Sequence, residues 1–302
     1  MIRPHGPLDG GMPAPGMFAL CVLSSSSSGN CSLVAWHDRG RRRVAMIDCG
    51  LSPRKTARLM GEVGIGVEEV SDLLLTHLDS DHAHPGWWRR PPREFAATVR
   101  MDRRQMGRAE RSGMLVGRRT EPFSAGEGFE IAQGCAVGTV ALSHDDLGVT
   151  AFRFATDRCT LGFATDLGRV TSELTEQLRE VDVLAIESNY CPRMQIESDR
   201  PEFLKRRIMD GAGHLSNQEA ALAVREIAPR DHAVFLHLSR QCNSPGLVLS
   251  EHAGSDYAIT VAEPDRPTRW VLTTGDRGAK RRPAPIRVEQ RSLFADVGGG
   301  PA

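Results

Sequence analysis

Thr76-His77-Leu78-Asp79-Ser80-Asp81-His82 follows the apolar run Asp72-Leu73-Leu74-Leu75 without a break. Such a run reads as a buried strand, which puts the motif in a loop at the strand's carboxyl end. Four potential metal ligands, His77, Asp79, Asp81 and His82, fall within six residues. In an extended or turning loop, side chains two apart can converge on one ion, and Asp81 with His82 can serve a neighbouring ion. Imidazole and carboxylate together suit Zn, Mn or Fe. Taken alone, the segment also fits a polar loop with incidental His and Asp, because short motifs misfire.

Three later positions weigh against that bland explanation. His144 follows a strand expected at 136–142, Asp166 ends one at 159–164, and His237 lies at the end of one at 233–238. A lone histidine at a strand end is usually structural; three such ligand types in this order after the first cluster form a pattern. Apolar runs predict further strands at 17–23, 31–36, 43–48, 72–75, 149–155, 181–186, 257–262 and 269–273. Helices fit 53–62, 170–179 and 245–252. Ser216 and Glu219 make a capping box for a helix over 217–228. Strands with interspersed helices in both halves indicate an α/β layer fold, with no linker that would split the chain.

Composition narrows the classes. The 302 residues carry 38 basic and 38 acidic side chains, so no global charge argues for a nucleic-acid or membrane partner. The cysteines, Cys21, Cys31, Cys49, Cys135, Cys159, Cys191 and Cys242, are odd in number and contain no Cys-x-x-Cys. That excludes a disulfide framework and a zinc-finger pattern, and fits buried thiols in a reducing compartment. No apolar run approaches the roughly 18 residues of a membrane span. The start of the chain has Arg3 followed by Gly and Pro rather than an apolar core, so no signal peptide is read and a cytoplasmic location is expected. Residues 1–16, rich in Pro and Gly, are expected to be disordered, and 276–302 to form a flexible tail. The residues say nothing of oligomeric state.

The His77–His82 motif with His144, Asp166 and His237 resembles the metallo-β-lactamase superfamily, whose signature is H-x-H-x-D-H followed by a distant His, Asp and His. The turn Ser28-Gly29-Asn30-Cys31, the turn Ile47-Asp48-Cys49-Gly50, Gly213-His214-Leu215-Ser216-Asn217 and the stretch from His237 to Pro245 narrow the likeness to its YycJ/WalJ-type subgroup. The resemblance implies one αββα four-layer sandwich domain over 17–275 and two divalent ions. It assigns His77, Asp79 and His144 to the first ion, Asp81, His82 and His237 to the second, and Asp166 to a bridge. Asp79 departs from the pattern, which has His there. A carboxylate is harder than imidazole and favours Mn or Fe over Zn. A tolerated ligand swap and a weakened first site leaving one ion both stay open; His84 reads as a surface histidine.

Two such ions about 3.5–4 Å apart can share a hydroxide and hold a substrate oxygen. Asp81 is then placed to orient the hydroxide, and Asp166 to fix the spacing. His214, at the start of the capped helix, is the candidate for the leaving oxygen, equally compatible with a plain helix-start residue. Ser239, Asn243 and Asn30 are candidate pocket residues, with Asn30 and Asp48 placed to brace the metal loops. The subgroup implies DNA or RNA cut by an exonuclease-like phosphodiesterase. Local support lies in the Arg-rich stretch between Trp87 and Thr120, which could hold phosphates and stack bases or be a solvated insertion. Arg193, Lys205, Arg206 and Arg207 could extend that surface. A small-molecule hydrolase (cyclic phosphodiesterase, lactonase or thioesterase) uses the same ligands, and a non-catalytic nucleic-acid-binding protein is the third reading.

Overall fold

The computed structural model describes residues 13–38, 40–144, 146–211 and 213–274. Its strands form two mixed sheets. The first holds β1 (Phe18–Ser24), β2 (Cys31–Asp38), β3 (Arg41–Ile47), β4 (Val70–Leu74), β5 (Thr98–Arg100) and β13 (Val271–Leu272), in the order β13-β1-β2-β3-β4-β5. The second holds β6 (Gly128–Ala132), β7 (Cys135–Leu142), β8 (Val149–Ala155), β9 (Thr160–Ala164), β10 (Val183–Glu187), β11 (His232–Leu236) and β12 (Ala258–Val261), in the order β12-β11-β10-β9-β8-β7-β6.

Strand alternation makes the layers. Side chains along a strand point to opposite faces, and both faces of β1 are buried. Phe18, Leu20 and Val22 join Phe152, Phe154, Leu161 and Val234 of the other sheet in the core between the sheets. Ala19, Cys21 and Leu23 face the other way, toward Leu59 and Met60 of helix α1 (Pro53–Glu62). The outer face of the second sheet is covered by α4 (Ser172–Leu178), α7 (Asn217–Ile227) and α8 (Pro245–Glu251) through Leu174, Val224, Ile227 and Val248. Burial on both faces is why the central strands read as continuous apolar runs. The result is the expected helix–sheet–sheet–helix sandwich.

Strand direction gathers the loops. In the first sheet β3 and β4 run parallel, while β2 is antiparallel to β3. In the second, β9, β10 and β11 run parallel, and β7 shares their direction because two antiparallel steps separate it from β9. The carboxyl ends of β3 and β4, the amino end of β2, and the carboxyl ends of β7, β9, β10 and β11 therefore form common edges. At that edge Thr150 N donates to Thr76 O across the sheets (3.0 Å).

Several elements were not expected: β5, β6, α2 (Gly86–Arg89), α3 (Met106–Arg111), α5 (Pro192–Glu197) and α6 (Glu202–Met209). Residues 13–16 also depart from the expected disorder. Thr156 Oγ1 donates to Gly16 O (2.6 Å) and Arg158 Nη1 to Pro15 O (3.1 Å), so donors of the β8–β9 turn tie this segment down. Residues 1–12 and 276–302 lie outside the described residues.

Candidate metal centre

Each cluster residue is aimed by the end of a strand. β4 runs into the loop carrying His77, Asp79, Asp81 and His82; β3 ends before Asp48, β7 before His144, β9 before Asp166 and β11 before His237. Asp48, Asp166 and His237 have φ of 58°, 54° and 56°. Left-handed backbone is costly for residues with a Cβ and persists where the surroundings over-determine it. Here it breaks the strand and turns each side chain into the edge where the two sheets meet.

The side chains converge in three overlapping groups: His77, His144 and Asp166; Asp81, His82 and His237; and Asp166, Glu187, His214 and His237. Asp166 stands at the middle. Its Oδ2 lies 2.9 Å from His82 Nε2, and its Oδ1 lies 2.9 Å from His237 Nδ1 and 3.8 Å from His144 Nε2. Asp81 Oδ2 lies 3.6 Å from His82 Nε2 and 3.7 Å from His237 Nε2.

Three of the four histidines share an orientation. Nδ1 of His82 meets Asp48 Oδ2 at 2.7 Å, Nδ1 of His144 meets Gly213 O at 3.1 Å, and Nδ1 of His77 meets Thr76 Oγ1 at 3.1 Å. Nδ1 of His237 faces Glu187 Oε1 at 3.3 Å as well as Asp166. In His77, His82 and His144 the frame engages Nδ1 and leaves Nε2 for the cluster, the arrangement by which outer partners orient metal-ligating imidazoles, whereas His237 turns Nδ1 to Asp166 and Nε2 toward Asp81. Nε2 of His237 is buried and makes no hydrogen bond, an orphaned polar atom that coordination to a cation would satisfy.

The same chain makes a sequence-wide match. Residues 42–238 fit the family model described as the beta-lactamase superfamily domain. This chain belongs to the metallo-β-lactamase superfamily. Within it the chain is similar to YycJ/WalJ-type proteins. It is 26% identical over 255 residues to exodeoxyribonuclease WalJ of Streptococcus pneumoniae serotype 2 (strain D39 / NCTC 7466), covering 81% of this chain and 91% of that protein. It is 26% identical over 261 residues to exodeoxyribonuclease YycJ of Bacillus anthracis, covering 82% and 96%. Its fold is similar to that of the metallo-β-lactamase fold protein YhfI of Bacillus subtilis, with a TM-score of 0.63 at 14% identity over 83% of this chain and 99% of that one. Human tRNase Z, short form, has a TM-score of 0.56 at 14% identity over 83% and 98%.

Membership in this superfamily implies divalent metal ions, and the electrostatics of the cluster fit them. Burial disfavours the charged forms, yet His237 and His82 hold Asp166 well below the usual carboxylate range. Burial likewise opposes a charge on His82, but Asp166 and Asp48 outweigh it and raise this imidazole well above its ordinary value. Burial is also outweighed at His237, which Asp166 and Glu187 push up to about 10. His77 goes the other way, lowered by burial and by its histidine neighbours. The side chains alone answer the buried carboxylates by protonating His82 and His237. A cation answers the same need.

The superfamily pattern is least complete at Asp79. Its carboxylate is 39% exposed and joins none of the three groups. Oδ1 accepts from Arg108 Nη2 at 3.0 Å, while Oδ2 faces His77 Nε2 at 3.9 Å. The two oxygens thus look to different partners. His84 accepts from Gly86 N through Nδ1 (3.0 Å) and stabilises the turn into α2.

His214 comes to the cluster: its Nδ1 meets Glu187 Oε1 at 2.7 Å and lies 3.7 Å from Asp166 Oδ1. Glu187 was not expected. It is fully buried at the end of β10 and also accepts from Leu167 N (2.6 Å). Asn30 Nδ2 stands 2.9 Å from His82 Nε2 and donates to Ser26 O, while Asn30 Oδ1 accepts from Ser25 Oγ and Ser26 N.

Two expected pocket residues belong to the frame instead. Asn243 is 8% exposed; its amide donates to Ser188 O, Asn189 O and Asn217 Oδ1, and its oxygen accepts from Asn217 Nδ2 and Ser244 N. No polar atom is left to meet a ligand. Ser239 Oγ accepts from Arg200 Nη2 and Cys242 N, both at 3.2 Å. In the Arg-rich stretch, Trp87 is fully buried with Nε1 donating to Leu51 O, so it stacks on no base. Arg100, Arg104 and Arg119 pair with Asp72, Asp102 and Glu121. Only part of that positive charge is open to a ligand.

Proposed function

We propose that this chain is a metal-dependent phosphodiesterase that removes nucleotides from DNA. The Asp166-centred cluster carries the reading: four histidines and two carboxylates, Asp81 and Asp166, gather in two overlapping ligand groups, with the Glu187–His214 pair beside them. The names of its S. pneumoniae and B. anthracis relatives, both exodeoxyribonucleases, support the substrate. His77, His144 and Oδ2 of Asp79 would hold one ion, Asp81, His82 and His237 a second, and Asp166 would bridge them. Mn or Fe suits the carboxylate-rich first position better than Zn.

When bound, such ions supply Lewis acidity and bring a water's pKa near 7. Asp81 Oδ2, between His82 and His237, is placed to accept a hydrogen from the attacking water. Glu187 Oε1 accepts a hydrogen bond from Nδ1 of His214 at 2.7 Å and so fixes the ring. Nε2 of His214 is then the nitrogen that protonates the leaving oxygen. Asp48 holds His82 from outside through Nδ1. A cytoplasmic location is the companion proposal, supported by seven cysteines that are all buried and free. Among the described residues no helix is long and apolar enough to cross a membrane.

The test is hydrolysis of a single-stranded DNA oligonucleotide labelled at both ends, by protein loaded separately with Mn and Zn, with Asp166→Ala as control. Metal-dependent shortening that vanishes in the variant is expected, and the label lost first gives the polarity. Cleavage of a small phosphodiester or lactone, with DNA left intact under either metal, would replace this reading with a small-molecule hydrolase.

A further inference from the structure

Beside the metal motif, between its loop and helices α2 and α3, lies a cavity of about 540 Å³. Asp79 and Asp81 form the wall toward the cluster, Trp88 and Met114 supply apolar surface, and Arg89 and Arg108 supply positive charge. The volume is that of a small-molecule site. Trp88 is half-buried and fixed: its Nε1 donates to Ala83 O (3.4 Å), and the Arg118 guanidinium sits 5.9 Å from its ring centroid. A rigid indole loses little freedom when a flat ligand stacks on it. Arg108 is anchored to Asp79, which offsets that carboxylate's charge within the cavity wall, and Arg89 is exposed at the end of α2.

We infer that this cavity is a nucleotide subsite, which stacks one base on Trp88 and holds its phosphate with Arg89 and Arg108 while the adjoining diester lies at the Asp166 cluster. The inference rests on the phosphodiesterase reading above and adds where the substrate's base is gripped. An aromatic face flanked by guanidinium groups is the combination by which proteins hold single-stranded nucleic acid without reading sequence. Trp88 is open to the cavity, whereas its neighbour Trp87 belongs to the core.

The probes are deoxyadenosine monophosphate and 2-deoxyribose 5-phosphate, titrated calorimetrically into the full chain loaded with Mn. The nucleotide should bind about tenfold or more tighter than the sugar phosphate. Trp88→Ala should abolish that preference, Trp88→Phe should keep most of it, and Arg89→Ala should weaken both probes by similar factors. A preference that survives in Trp88→Ala, or none in the unaltered chain, overturns the subsite. Nucleotide preference lost with Trp88 in a chain that cuts no DNA would overturn the phosphodiesterase reading and leave the subsite standing.

Discussion

Asp48 shows how much of the centre is decided one shell out from the proposed ligands. It is fully buried, and its carboxylate accepts from Thr76 N, Thr76 Oγ1 and His82. Asp48→Ala should lower metal affinity about 10–100-fold, measured by competition with a chromophoric chelator, and Asp48→Asn should recover part of the loss. His214→Ala should lower kcat on DNA by about 10²–10⁴-fold with the metal content, read by elemental analysis, unchanged; a loss of metal would place His214 among the ligands. At this scale the sequence was most legible where ligand types crowd together: the 77–82 motif announces itself, and His144, Asp166 and His237 follow at strand ends. Glu187 carries no such mark. It is one acid at the close of an apolar strand, and only the parallel pairing of β10 with β9 and β11 brings it between Asp166 and His237. Asn243 misled for the opposite reason, since a polar residue near a final histidine looks like a pocket residue until its amide partners are known.

The close approach of loops explains a glycine at the level of elements. A Cβ on Gly50 would lie 1.6 Å from Asp81 O and 2.8 Å from Asn30 N. The backbone there is laced together: Asn30 N donates to Asp81 O (2.7 Å), Cys49 N to His82 O (2.7 Å) and Gly50 N to Asn30 O (2.9 Å). Gly50→Ala must push the metal loop away. It should cost about 1–3 kcal/mol in urea unfolding and weaken metal binding in the same chelator competition. Elements with strong local signals were readable: α1 spans the expected 53–62, and α7 begins at the Ser216–Glu219 capping box. Those missed lack such signals. β5 has three residues, β6 is a half-exposed edge, and α5 and α6 begin after Cys191 and Pro201 without a side-chain cap. The Arg-rich stretch hides α2 and α3, whose short apolar contacts never build a helical period.

For the molecule as a whole, His252 links stability to acidity. It is 5% exposed, its ring lies against Phe235 at 4.3 Å, Nδ1 meets Tyr257 Oη at 2.8 Å, and Nε2 has no partner. Burial, helped by the nearby Arg225, lowers its pKa from 6.5 to about 4. The unfolded chain therefore binds a proton near pH 6.5 that the folded chain refuses until about pH 4. Its contribution is fully present above pH 6.5 and is lost as pH falls through that window. The drop in urea midpoint between pH 7.5 and pH 5 should be smaller in His252→Leu than in the unaltered chain; an equal drop would remove His252 as a cause. The layer order was legible at this scale because both faces of β1, β2 and β8 are buried, which leaves long apolar runs in the sequence. Which sheet edge each loop would reach was not, since that depends on pairings between strands far apart in the chain.

The proposed ligands come from both halves of the sandwich: His77, Asp81 and His82 follow β4, while His144, Asp166 and His237 follow β7, β9 and β11. An ion held by both sets is a rivet across the seam. Its loss should be felt mechanically as well as chemically. Ligand linkage is worth about 2.7 kcal/mol at a hundredfold excess over Kd, so chelation should lower the melting temperature and speed hydrogen exchange at the amide of Thr150, whose bond to Thr76 O crosses the same seam. Scarcity of metal would then set how long the folded chain survives, and degradation would clear the unloaded molecules first.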